Sequence, residues 1–423
     1  MGTAFGSRVA MNETHLLISD PGAATLCGDP FVCATGAVHA YERRDGRWHR
    51  FQMLVPPDAT AENTFAVLGL DGDRLLVGDT GAGLAEPDAG GVFVYDFDGN
   101  EWVETGRIAP PEPGFGFAFG GVVATEGDLA MVFDLREVVS VFQEASDGWA
   151  YRQRLTRPDG AGTRTRFGLA MAIEDDWAFI GAREDDAIAR FGGAVYVYRR
   201  EIDGTLTYHQ KLIPFDAADG TGFGTALAAD GGRLAVGGYA ADRETNAQGA
   251  VYVYELEGDQ WVFRGDMTHR DPTGVDRLGE TLDLHGDLIV AGAPGQRTLR
   301  AIGVAYAFAR DSDGVWSQRA RLLPETPSAP FGAAVATNGR SAVVGARDEF
   351  VEGVKVGAAH VFDLACEICR PDLDADGSLT VFDFLTYLNL FQDGDAQADF
   401  DGDGELTIFD FLAFQDAFQA GCE

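Results

Sequence analysis

Two stretches near the C-terminus carry oxygen-bearing side chains at the spacing of a cation-binding loop. From Asp372 the chain reads DLDADGSLTVFD and from Asp399 it reads DFDGDGELTIFD, two copies offset by 27 residues. In the first, Asp372, Asp374 and Asp376 occupy positions 1, 3 and 5, Gly377 makes the sharp turn at 6, Ser378 offers its carbonyl at 7 and Asp383 closes the loop at 12. In the second the same roles fall to Asp399, Asp401, Asp403, Gly404, the Glu405 carbonyl and Asp410, with Thr380 and Thr407 at position 9 expected to act through water. This pattern suits Ca2+, a hard cation that collects about six to eight oxygens, so two Ca2+ sites are predicted. Asp-rich, Gly-punctuated stretches are ordinarily solvated turns. Two aligned copies, each leading into an apolar run (FDFLTYLNLF and FDFLAFQDAF), point instead to a duplicated loop-helix unit. Residues 371–423 hold 11 Asp and 2 Glu with no Lys or Arg, a formal charge of −13. Without cations the loops repel each other, so Ca2+ binding should be coupled to folding.

Asp rather than Glu at position 12, and one helix after each loop, separate this pattern from an ordinary EF-hand pair. It resembles a dockerin, the duplicated loop-helix module that binds cohesin in cellulosomal systems. The flanks Cys369-Arg370-Pro371-Asp372 and Gly421-Cys422 resemble the dockerin-type tails of secreted planctomycete proteins. The resemblance implies the metal residues named above and an anchoring role through a cohesin-like or other surface protein. Positions 10 and 11 are Val381-Phe382 and Ile408-Phe409, where cellulosomal dockerins usually show small or polar residues, so an anchor of another kind is equally expected. Cys369 and Cys422 flank the unit and are candidates for a disulfide that clasps its ends, with Cys366 left as a free thiol or in exchange with Cys369. Cys27 and Cys33, close together in one loop, are the other candidate pair.

Before this tail, a unit recurs at roughly 50 to 60 residues, a period that signals a propeller or solenoid. It begins with an aromatic-Gly pair at Phe5-Gly6, Phe119-Gly120, Phe167-Gly168, Phe223-Gly224 and Phe331-Gly332, with Leu278-Gly279 an aliphatic variant and Phe65-Ala66 a slipped one. An apolar strand closed by a small residue follows, as in LLVG (75–78), AFIG (178–181) and AVVG (342–345). The next strand, as in GVFVY (91–95), GAVYVY (193–198) and GAAHVF (357–362), alternates with period two and predicts a half-buried strand. After a polar turn, Trp48, Trp102, Trp149, Trp261 and Trp316 each open a fourth strand, and Leu206 and Tyr208 stand there in the fourth repeat. A single blade of this kind cannot bury both faces, and a closed ring covers them all. The expected fold is therefore all-β: a seven-bladed β-propeller of four-stranded antiparallel blades over residues 1–364, a Cys-containing linker at 365–370 and a small α-helical calcium module at 371–423. The seventh unit lacks its Trp strand, so about 25 or more residues, counting one strand plus a signal peptide, are expected upstream.

The blades resemble the FG-GAP repeats of integrin α-subunit propellers and their bacterial relatives. The GAP half survives as Gly292-Ala293-Pro294, with Gly181-Ala182-Arg183 and Gly345-Ala346-Arg347 as near variants. Blades of that family often carry an Asp-x-Asp-x-Asp calcium loop. The nearest segment here is 182–192, with Glu184, Asp185 and Asp186.

The 32 Lys and Arg against 67 Asp and Glu give a net charge of −35, which repels nucleic acid and anionic membrane surfaces. No apolar run approaches the roughly twenty residues of a membrane span. Closely spaced Cys suit an oxidising, extracellular or cell-surface setting. No GxSxG, HExxH, P-loop or dinucleotide motif stands in a supporting context, and the seven His do not cluster. His39 and His360 fall where other blades place aromatic residues of the sheet, and His209, His269 and His285 lie in strand-end or turn contexts. The pairs Asp175-Asp176 and Asp185-Asp186 are adjacent in turns rather than set across a sugar ring. No catalytic residue is assigned. Two function classes follow. One is a monomeric, non-enzymatic binding or scaffold protein whose propeller loops meet a protein or glycan and whose calcium module anchors it. The other is a polysaccharide hydrolase or lyase delivered by the same module. The lining of the propeller axis separates them: convergent carboxylates or His favour the enzyme, small repeat residues the binder.

Overall fold

The computed structural model of the chain describes residues 4–26, 32–57, 64–85, 89–112, 119–134, 136–160, 165–240, 248–269, 277–295, 303–311, 313–324, 331–351, 354–364, 371, 373, 379–400 and 406–420. Among them lie six four-stranded antiparallel sheets and one three-stranded sheet, seven blades in sequence order. In blade 4, for example, the inner strand is Phe167–Glu174, followed by Trp177–Ala182, Ala194–Arg200 and the outer strand Leu206–Leu212. Blade 7 has three strands among the described residues: Ala334–Thr337, Ser341–Ala346 and Ala358–Asp363. The ring closes where Phe5 bridges Gly357 and where the Asn338 side-chain amide donates to the Asn12 carbonyl at 3.2 Å.

The third strands correct the half-buried reading. Val195, Tyr196, Val197 and Tyr198 are all buried, although their sequence alternates. Each blade is covered by a neighbour on both faces, so the alternation there sorts side chains between two interfaces rather than between core and water. The outer strands do alternate, as Trp102–Ile108 shows with its two ends buried and residues between them open.

The repeat residues have a shared physical cause. The Phe of each pair packs edge-on against an aromatic ring of its own blade: Phe65 on Phe93 at 5.6 Å, Phe167 on Tyr196 at 5.6 Å and Phe223 on Tyr252 at 5.2 Å. His39 and His360 take the same place, 5.2 Å from Phe5 and 5.4 Å from Phe331. Gly224, at φ +85°, sits where the backbones of adjacent blades touch, and a Cβ added to Gly181 would lie 2.2 Å from its carbonyl oxygen. Only glycine tolerates either position.

Two sets of latches join the blades. On the axis side, Asp71 accepts from the Gly127 amide (2.7 Å), Glu126 from Asp175 (2.9 Å), Glu174 from Gly232 (2.6 Å), Asp230 from Gly286 (2.6 Å) and Asp283 from Thr337 (2.7 Å). The Asn12 side-chain amide, donating to the Gly72 carbonyl at 2.8 Å, continues this ring. Near the rim, Gln52 clamps the backbone of Trp102 through both its N–H (2.8 Å) and its C=O (2.9 Å). Gln153 does the same to Leu206 (2.8 and 3.0 Å) and Gln210 to Trp261 (2.9 and 3.0 Å).

After the last blade strand the chain forms two helices, α1 (Val381–Asp393) and α2 (Ile408–Ala420). Thr380 caps α1, its hydroxyl accepting from the Phe382 amide, and Gly394 ends it in the left-handed conformation. Tyr387 and Phe414 stack between the helices, centroids 4.1 Å apart, with Phe400 edge-on to both.

Candidate functional site

Of the ten candidate metal residues, Asp383, Asp399 and Asp410 belong to the described part, while Asp372, Asp374, Asp376, Ser378, Asp401, Asp403 and Glu405 lie outside it. Asp383 and Asp410 are fully buried at the starts of α1 and α2. Asp383 accepts from the Thr380 amide at 2.8 Å and from the Leu373 amide at 2.8 Å, and Asp410 accepts from the Thr407 amide at 2.7 Å. Thr380 and Thr407, read as water-mediated ligands, cap the helices, each hydroxyl accepting a backbone amide at 3.1 Å. The two loop-helix copies thus share one local design at their helix starts. The 10–11 pairs are open to solvent in both copies: Val381 62%, Phe382 63%, Ile408 63% and Phe409 64% exposed.

Cys33 is disulfide-bonded. It stands on Val32–Ala34, which pairs with Ala24–Leu26 as a small ribbon where the sequence predicts a plain loop. Cys27, Cys366, Cys369 and Cys422 lie outside the described residues.

In the segment nearest to a blade calcium loop, Asp185 is buried, accepts from the Tyr196 hydroxyl at 2.7 Å and pairs with Lys211 at 3.1 Å. Glu184 pairs with Arg166 at 3.1 Å. Asp185 therefore differs from the solvated turn residue its sequence context predicts. Cationic side chains of the protein supply the countercharge there. In blade 7 the corresponding Glu349 meets His360 at 2.7 Å. His269 stacks flat on Tyr306 at 5.1 Å, and His209 contacts the Asp259 carbonyl at 2.6 Å, so both have partners that the sequence does not announce.

A continuous channel follows the propeller axis. Its middle is lined by small and aliphatic side chains of the inner strands, among them Ala124, Ala172, Ala228, Leu68, Met171 and Val335. One mouth, at the hairpin turns, holds the latch carboxylates Asp71, Glu126, Glu174, Asp230 and Asp283. Burial pushes Glu174 and Asp283 up to about 7 and raises Glu126. The other mouth, at the loops preceding the inner strands, is a cavity of about 320 Å³ lined by Arg8, Arg183, Arg277 and Arg347 with Glu280. Sequence reading missed both rings. The signal for the second was present in Arg183 and Arg347, which replace the Pro of the GAP motif.

The FG-GAP repeat model matches residues 149–198 and 207–254. The matched segments run from the outer strand of blade 3 through blade 4 to the third strand of blade 5, and they are similar to FG-GAP repeats. The blades build a seven-bladed β-propeller. A provisionally assigned 6-phosphogluconolactonase from Bacteroides uniformis is similar in structure, with a TM-score of 0.53 and 13% identity over 84% of this chain and 98% of that one. A chain of the mitotic checkpoint complex is similar with a TM-score of 0.50 and 12% identity, over 81% of this chain and 84% of that one. At such identities the likeness is one of fold. No curated protein matches the sequence. No helix among the described residues is long and apolar enough to cross a membrane.

Proposed function

We propose that this chain is a secreted or cell-surface binding and scaffold protein. Its FG-GAP propeller presents loops to a protein or glycan, and its C-terminal loops bind two Ca2+ ions and anchor it to a cohesin-like or other surface protein. The observation that carries the binding role is the axial channel. Its middle is aliphatic, and each of the five carboxylates at its hairpin mouth accepts a backbone amide of the next blade. Groups committed to holding blades together are poor candidates for the acid and base of a hydrolase or lyase. FG-GAP repeats are typical of extracellular proteins, which supports the location. The anchoring role is supported by the exposed Val381-Phe382 and Ile408-Phe409 pairs, one on each loop-helix copy. Disulfides Cys27–Cys33 and Cys369–Cys422 belong to this reading.

Calorimetric titration of Ca2+ into chelator-treated full chain, followed by circular dichroism, tests the metal half. Two sites and a gain of helix are expected, both lost in an Asp376→Asn/Asp403→Asn variant, and absence of binding would overturn it. Release of new reducing ends or unsaturated sugars from a polysaccharide panel would overturn the non-enzymatic half.

A further inference from the structure

The loop-side mouth concentrates positive charge in a chain of net charge −35. Among the described residues its one lining carboxylate, Glu280, pairs with Arg277 at 3.2 Å. That leaves Arg8, Arg183 and Arg347, and among the described residues none of the three guanidiniums has a carboxylate partner. The three come from blades 1, 4 and 7, so ring closure rather than chain proximity brings them together. Arg183 is held in place from outside the cavity: its guanidinium and that of Arg277 lie 6.0 and 4.7 Å from the Tyr239 ring. Its Nε is buried without a hydrogen-bond acceptor.

Three like charges around a cavity on the order of 10 Å across lie at about one Debye length at physiological salt, and where protein rather than water separates them their repulsion is screened only in part. The acidic hairpin mouth lies on the order of 15 Å away along the inner strands, too far to compensate. Arg8 reaches solvent inside the channel, yet the surrounding protein lowers its pKa. Such an arrangement costs stability unless an anion enters, and guanidinium forks match the oxygens of carboxylate, sulfate and phosphate. A cavity of about 320 Å³ holds a group the size of one sugar ring.

We propose that the loop-side mouth of the channel binds an oxyanion carried by a small ligand or by one unit of a chain, gripped by Arg8, Arg183 and Arg347. This site depends neither on the calcium module nor on what the outer loops recognise.

Calorimetric titration of the full chain at low ionic strength with inorganic sulfate, inorganic phosphate and glucuronate, with glucose as the uncharged control, tests it. At least one anion should bind with one site per chain while glucose does not. The strongest of the three identifies the source as a sulfate ester, a phosphate ester or a uronate. Loss of one charge-assisted hydrogen bond corresponds to about a tenfold weakening or more, so Arg183→Gln and Arg347→Gln should each weaken binding at least about tenfold. Arg183→Lys, which keeps the charge and loses the fork, should fall between, and guards against a misfolded Gln variant. Arg340→Gln, a partner of Asp363 outside this cavity, should bind as the parent does. No binding of any of the three anions to the parent chain, or equal binding by the Arg183 and Arg347 variants, would overturn the proposal.

Discussion

The propeller and the C-terminal loop-helix unit both seat acidic side chains on backbone amides, but they differ in the cationic side chains they hold. In the ring, acidic side chains near the axis end on backbone amides, and Asp185 and Glu184 end on Lys211 and Arg166. In residues 371–423 the 13 acidic side chains have no Lys or Arg in their own segment. Two of them, Asp383 and Asp410, are fully buried at helix starts. The comparison teaches that acidic groups of the ring find cationic partners within it, whereas the tail's segment holds no Lys or Arg, the countercharge that the proposed Ca2+ ions would supply.

The widest test of that contrast is chelation of the full chain. At Ca2+ about a thousandfold above Kd, each site stabilises by about 4 kcal/mol. Removing the ion should therefore abolish the helical signal of α1 and α2 and leave the propeller transition where it was. A single unshifted transition in both conditions would break the comparison.

Next in size is the tail's own core. Tyr387→Ala removes a ring stacked on Phe414, for an expected loss of about 3–5 kcal/mol. Thermal melts in saturating Ca2+ should show it in the helical transition alone.

Within the ring, Glu174 is pushed up from 4.5 to about 7. Between those values the folded carboxyl keeps a proton that the unfolded chain has released, so stability falls as pH rises through this window. Glu174→Gln keeps an oxygen acceptor for the Gly232 amide and carries no charge. It should flatten that slope and stabilise the propeller above pH about 7 by up to about 3 kcal/mol, as denaturant titrations across pH would show.

The smallest expected effect sharpens the claim of distributed latching. Gln153→Ala deletes one rim clamp on Leu206, for about 1–2 kcal/mol. The loss should be matched by Gln52→Ala, since the clamps are repeats of one device.

Much of the ring was legible because each blade repeats its own instructions. The Phe-Gly starts precede or open the inner strands, the apolar runs form the second strands, and five Trp stand at or next to the first residue of an outer strand, as the sequence predicts. The Gln clamps and the carboxylate latches were not legible. Gln52 and Trp102 are 50 residues apart, and a lone Gln on an outer strand has the pattern of a solvated residue. Asp71, Glu126, Glu174 and Asp230 precede tight turns, where acidic residues are ordinary. Their role depends on the turn of the next blade. For the proposed calcium loops the reverse holds: spacing alone picks out every candidate residue, of which Asp383, Asp399 and Asp410 are described in the structure.

The sequence by itself determined the period, the strand content, the seven starts and the two aspartate loops, because these are set by side chains within one unit. Only the tertiary structure decided what the ring's centre looks like. Arg8, Arg183 and Arg347 are far apart in the chain, and so are the carboxylates of the opposite mouth. Closing the blades around one axis puts each set at one end of a single channel. Charge at a propeller mouth is a property of the closed ring.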